Sequence, residues 1–158
     1  MKIFLTVISA FLLVDIKLYD ACDYSVERQF GDYCYIAGPS SVDFKGAEHY
    51  CKTQKGKLVS ILSEEENKFV YALAENFILE IDETRVYIGL TSLNETSWKY
   101  YWVDGSPLNY TNWKKGEPDR PDKRKCVFMD LYDKKWVSGN CITDRIPSVC
   151  KRLNPDAS

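Results

Sequence analysis

Residues 126–141 read CVFMDLYDKKWVSGNC, two cysteines bracketing a short apolar run and a tryptophan. Four more cysteines stand outside them, at 22, 34, 51 and 150, giving 6 in a chain of 158 residues. An even count in an exported chain of this size reads as a disulfide framework, whose connectivity spacing alone leaves open. A zinc site is the weaker reading, because the chain has 1 histidine and no closely spaced cysteine pair.

Export is read from the amino terminus. Lys2 precedes a nearly unbroken apolar run from Ile3 to Val14. Its length suits a signal peptide and falls short of the ~20 residues that a spanning helix needs. We expect a signal peptide over residues 1–21, with cleavage between 18 and 21, a domain over 22–152, and a short tail over 153–158. Lys2, Lys17, Asp15 and Asp20 leave together, so the formal charge stays at −2. About 137 residues remain, one domain's worth. This balance does not point to nucleic acid, and no second long apolar stretch points to a membrane span.

Two stretches read as helix. Asp43 caps the first, whose apolar positions are Phe44, Ala47, Tyr50 and Cys51, with Gly56 as its stop. Ser63 and Glu66 form a capping box for the second, in which Phe69, Leu73, Phe77 and Ile81 recur every fourth residue, with Val70 and Ala72 beside them. Residues 57–62 (KLVSIL), 86–90, 100–103, 126–130 and 148–152 read as short strands. Asp104-Gly105-Ser106-Pro107 is a turn, and from Ser106 to Lys125 no period survives. A loop of that length in a compact domain is usually functional. The order is α+β: helices early, strands late, one long loop.

The run from Cys22 to Lys151 resembles a C-type lectin-like domain of the long form. The pieces that carry the resemblance are CDYSVERQFGDYCY at 22–35, AEHYCKTQKGKLVSI at 47–61, VYIGL at 86–90, WVDGSPLNYTNWKKGEPD at 102–119, CVFMDLYDKKW at 126–136, and SVCK at 148–151. The resemblance implies an α+β C-type lectin-like fold, with two helices, antiparallel sheets, a long irregular loop and three disulfides. It implies the pairs Cys22–Cys34, Cys51–Cys150 and Cys126–Cys141. In the loop-entropy model a bridge closing ~100 residues contributes about 4.7 kcal/mol, and one closing ~15 about 3 kcal/mol.

The resemblance also places a Ca²⁺ and sugar site in the long loop and the strand after it. Here the Pro-centred triplet is Glu117-Pro118-Asp119, with a cis proline implied. The other donors depart from the family pattern. Arg124 stands where an acid is expected before Cys126, and Val137-Ser138 stands for an Asn-Asp pair. Glu117 and Asp119 remain as an incomplete metal site, and Ca²⁺ dependence is expected to be weak or lost.

Lys114, Lys115, Arg120, Lys123, Arg124 and Lys125 outnumber Glu117, Asp119 and Asp122 in this loop. A solvated mixed-charge loop is the bland reading, and an anion-preferring face the sharper one. The candidate ligand-binding residues are Glu117, Asp119, Arg120, Arg124, Lys125 and Ser138. Tyr110 and Trp113 are candidates for stacking on a sugar ring, with core packing the stronger expectation for Trp113. Asn94-Glu95-Thr96 and Asn109-Tyr110-Thr111 are glycosylation sequons. His49 sits in a predicted helix, and no nucleophile–base motif or phosphate loop is recognisable, so an enzyme is not expected. The function implied is a secreted carbohydrate-binding domain whose partner is a glycan or glycoprotein. The alternative is a protein surface recognised by the same loop, with oligomeric state left open.

Two measurements check these expectations. Non-reducing peptide mapping should join Cys51 to Cys150 and Cys126 to Cys141, and a free thiol would contradict the framework. The secreted protein should begin between residues 19 and 22 and lose mass on glycosidase treatment. An intact Met1 with unchanged mass would place the chain in another compartment.

Overall fold

The computed structural model describes residues 22–23, 26–39, 41–78, 83–94 and 99–157. The expected signal peptide and the expected helix end at Ile81 lie outside them. In chain order the elements are β1 (Glu27–Phe30), β2 (Tyr33–Ala37), α1 (Phe44–Thr53), β3 (Lys57–Leu58) and α2 (Glu64–Ile78). They continue with β4 (Arg85–Thr91), β5 (Tyr101–Trp102), β6 (Cys126–Asp130), β7 (Lys135–Gly139) and β8 (Val149–Leu153). Two four-stranded antiparallel sheets result, ordered β1-β2-β8-β3 and β5-β4-β6-β7.

The expectation of helices early and strands late needs correcting, since a β-hairpin precedes both helices. Gly31-Asp32 makes its two-residue turn, with Gly31 at φ 55°. β7 was also not foreseen. Of the expected strand over 57–62 only Lys57 and Leu58 enter the ladder. The next residue joins the two sheets: Val59 N–H donates to Val149 O at 2.9 Å, and Val59 O accepts Gly89 N–H at 2.8 Å. A β-carbon on Gly89 would lie 2.6 Å from Leu58 O, so this approach needs glycine.

Both helices start where the sequence indicates. Asp43 Oδ1 accepts Gly46 N–H at 2.8 Å, and Ser63 Oγ accepts Glu66 N–H at 3.1 Å. The stop of α1 differs by one residue. Lys55 takes the left-handed conformation (φ 59°), while Gly56 N–H donates to Cys51 O at 2.9 Å and Lys55 N–H to Lys52 O at 3.1 Å. This is a Schellman closure with glycine one place beyond the left-handed residue.

α2 buries its expected face deepest on the Val70 side, with Phe69 and Leu73 packed at the edge of the core. Val70 and Ala74 are fully buried, whereas Phe69 and Leu73 are half-buried and Phe77 is 40% exposed. The apolar stripe lines an open groove of about 560 Å³ with Val26, Ile36 and Tyr50.

Beside Val70 and Ala74, α2 also buries polar groups. Glu66 is 4% exposed; its Oε1 accepts from Lys151 Nζ at 2.6 Å and Tyr35 OH at 2.6 Å. Oε2 accepts Leu62 N–H at 2.7 Å, so the return half of the capping box reaches one residue further back than Ser63. Burial, then the bond to Glu66, hold the Tyr35 phenol well above its ordinary pKa, so it stays a donor.

The bridges are Cys22–Cys34, Cys51–Cys150 and Cys126–Cys141. Cys51–Cys150 ties α1 to β8. At the carboxyl end β8 runs through Leu153, and Asn154, buried, donates its N–H to Asp32 O at 2.8 Å.

Replacing Glu66 by alanine strands the Lys151 ammonium in the core. We expect a loss of about 3–5 kcal/mol, read as a lower urea midpoint. A loss below ~1 kcal/mol would show that the core does not depend on this carboxylate.

Candidate functional site

Trp136 fixes the geometry of the long loop. It is fully buried on β7, and its Nε1 donates to Asn67 Oδ1 at 2.8 Å. Trp102, Tyr110 and Trp113 meet its ring edge-to-face, with centroids 5.5, 5.6 and 6.0 Å away. The backbone follows the rings. Lys114 N–H donates to Trp136 O at 2.9 Å, and Trp136 N–H to Asn112 O at 2.9 Å. Tyr110 and Trp113, candidates for stacking on a sugar, are therefore committed to packing on Trp136, and Trp113 also meets Tyr100 at 5.2 Å.

Beyond Lys114 the chain turns through Gly116 (φ 90°) into the Glu117–Pro118 bond, which is cis. Glu117 then points back at β7. Its Oε2 accepts Ser138 Oγ–H at 2.5 Å, Ser138 N–H at 3.0 Å and Asp119 N–H at 3.1 Å. Ser138 Oγ in turn accepts Asp119 N–H at 3.1 Å. The serine that replaces an expected acid thus neither leaves a gap nor faces outward; it closes a small knot with Glu117.

Asp119 is met from the other side. Arg124 donates to Asp119 Oδ1 at 2.8 Å, across two side chains that are 40% and 43% exposed. Arg124 is aimed there by its backbone: its N–H donates to Arg120 O at 2.8 Å, and its own carbonyl accepts Tyr100 OH at 2.7 Å. Burial raises the Tyr100 phenol above its ordinary pKa, which keeps the proton for that bond. No sequence signal marked Tyr100, which lies 24 residues from its partner.

Glu117, Asp119, Arg124 and Ser138 therefore form one hydrogen-bonded cluster. Arg120 joins it only through its carbonyl, and its side chain is exposed. Lys125 is not part of it. Its carbonyl accepts Ser92 N–H and Thr91 Oγ1–H, each at 2.8 Å, and so anchors the loop to the end of β4. Lys114 is also drawn away, held by Asp130 at 2.7 Å and Asp133 at 3.0 Å. Both sequon asparagines are exposed, Asn94 in the turn after β4 and Asn109 in the long loop.

This donor set does not fit a Ca²⁺ cage. Ca²⁺ takes 6–8 oxygen ligands. Here one oxygen of Glu117 is saturated by three donors, and a guanidinium already lies against Asp119 and opposes a second cation there. Among the described residues, neither acid gathers the further His, Cys, Asp or Glu groups of a metal cluster. The group that does gather is Cys22, Glu27 and Cys34, whose cysteines are spent in a disulfide. Nor does a described helix have the length and apolarity to cross a membrane.

Comparison with known proteins gives this geometry its family. The model of the Lectin C-type domain matches residues 40–152. The low affinity immunoglobulin epsilon Fc receptor of Mus musculus is 31% identical over 124 residues, 78% of this chain and 35% of its own. C-type mannose receptor 2 of Homo sapiens is 30% identical over 145 residues, 90% of this chain and 9% of its own. The chain thus spans well under half the length of either relative.

Among solved structures, the cow C-type carbohydrate-recognition domain of CD23, in the presence of GlcNAc2Man3 oligosaccharide, superposes with TM-score 0.69 at 31% identity. The match covers 81% of this chain and 93% of that one. Human lithostathine superposes with TM-score 0.73 at 28% identity, covering 81% and 88%. With that model matched over residues 40–152 and the fold superposing on these structures, the chain belongs to the C-type lectin domain family.

Proposed function

We propose that this chain is a secreted carbohydrate-recognition domain that holds its glycan through the loop over 106–125 without a firmly bound Ca²⁺. The observation that carries the second half is the knot just described: Ser138 engages Glu117, and Arg124 engages Asp119. The first half is supported by the relative that was solved in the presence of an oligosaccharide. Three disulfides and the apolar start support export, and the exposed Asn94 and Asn109 support glycosylation.

A second reading, a protein-binding domain using the same loop, is favoured by the relative named as an immunoglobulin receptor. Among the described residues His49, exposed on α1, forms no nucleophile–base pair, and we propose no catalytic role for it.

Ca²⁺ is tested by thermal melting. A ligand at a hundredfold excess over its Kd stabilises by about 2.7 kcal/mol. Millimolar Ca²⁺ against chelator should give far less, hence almost no change in Tm. On a panel of immobilised sugars, binding should persist in chelator. Chelator-sensitive binding together with a large Ca²⁺ stabilisation would show that Glu117 and Asp119 recruit other ligands.

A further inference from the structure

Resting on the carbohydrate reading above, we infer that the loop's ligand is a sulfated glycan, held by Lys115, Arg120 and Lys123. The fold sorts the loop's charges into two sets. Lys114 is neutralised by Asp130 and Asp133, Arg124 by Asp119, and Glu117 is turned inward to Ser138. Lys115, Arg120 and Lys123 are exposed, and among the described residues no carboxylate lies within ion-pair distance of them. Asp122 is exposed in the same stretch, and Asp119, though paired with Arg124, keeps a side chain that is 43% exposed. The mixed-charge sequence thus presents a net positive surface, because Glu117 and Asp119 are engaged within the loop and Asp122 alone is left to oppose the three cations.

The cations are also placed by hydrogen-bonded turns. Lys123 N–H donates to Arg120 O at 2.9 Å, closing a turn whose ends lie within about 7 Å of each other. Arg120 stands at φ 44°, and Lys115 occupies the preceding turn, closed by Glu117 N–H to Lys114 O at 2.9 Å. Two cations on one turn and a third beside the next suit a row of sulfates. Lysine ammoniums act as point charges, and arginine adds a planar fork.

A protein partner fits this face less well. Protein interfaces centre on desolvated aromatic and apolar anchors, with charge at the rim. Here Tyr110 and Trp113 are spent on Trp136, and beyond Lys114 what the loop exposes is Lys115, Gly116, Pro118, Arg120, Asp122 and Lys123.

The test uses the glycosylated, secreted chain and a heparin-derived oligosaccharide, with its desulfated form and polyglutamate as comparators. The sulfated probe should bind, and its affinity should fall about tenfold as salt rises from ~0.05 to ~0.3 M, because the contacts are exposed and screened. Lys115→Gln/Arg120→Gln/Lys123→Gln should weaken it about tenfold or more. Lys45→Gln/Lys52→Gln, which removes exposed charge from α1, should leave it unchanged, with equal melting temperatures showing that both variants fold.

Equal binding of the desulfated probe, or an unaffected triple variant, overturns the inference while leaving the carbohydrate reading intact. Binding of polyglutamate as tight as that of the sulfated probe overturns it in favour of an acidic protein patch. Failure to bind any sugar, sulfated or neutral, overturns the carbohydrate reading itself.

Discussion

Glu66 is the point at which this fold closes. Its carboxylate takes Lys151 from β8, Tyr35 from β2 and the Leu62 backbone ahead of α2, so one side chain joins the first sheet to the second helix. Lys151 Nζ also reaches Ser60 O at 3.3 Å, and Ser60 Oγ donates to Asp104 Oδ2 at 2.5 Å, which ties the turn after β5 into the same network. A buried charge of this kind is tolerated only when every donor and acceptor is met. That requirement specifies the register of several elements at once, whereas apolar packing alone tolerates sliding. Cys51–Cys150 lies one residue from Lys151 and holds β8 where the ammonium can reach its partner.

A second buried centre performs the same service for the loop. Trp136 packs against three aromatic neighbours, and its ring nitrogen donates to Asn67 on α2, so the loop over 106–125 is pinned before any charge is considered. The segment has no helix and no strand, yet its backbone bonds to β7 on both sides of Trp113. Its aperiodic sequence reflects packing by isolated aromatic anchors.

The legible parts of the sequence were those with local chemistry. The caps Asp43 and Ser63, the β-branched runs of β4 and β6 and the Gly105 turn are set by neighbours close in the chain. Of the stripe Phe69, Leu73 and Phe77 only the first two pack on the core, because an apolar period shows that a helix has a face without showing where that face is centred. The core takes Val70 and Ala74 fully, together with Glu66 and Asn67, polar groups whose partners include residues 67 to 85 positions away. The first hairpin carried its Gly-Asp signal but only four paired positions to support it. The disulfide pairing came through resemblance, not through spacing. Glu117, Asp119, Arg124 and Ser138 were named as candidates by motif, but their mutual bonding was not foreseen, since nothing in sequence says which carboxylate a loop arginine will choose.

The bond between Arg124 and Asp119 changes what kind of site this is. A metal-dependent loop is ordered by mass action, and its shape follows the ion's concentration. A cation covalently part of the loop is present at any salt composition. An ion pair this exposed contributes only about 0–1 kcal/mol, too little to order the loop by itself. The order must therefore come from Trp113 packed on Trp136 and from Glu117 buttoned to Ser138, with Arg124 cancelling the charge that remains. With the loop ordered by these contacts, its exposed cations Lys115, Arg120 and Lys123 shape the field around it.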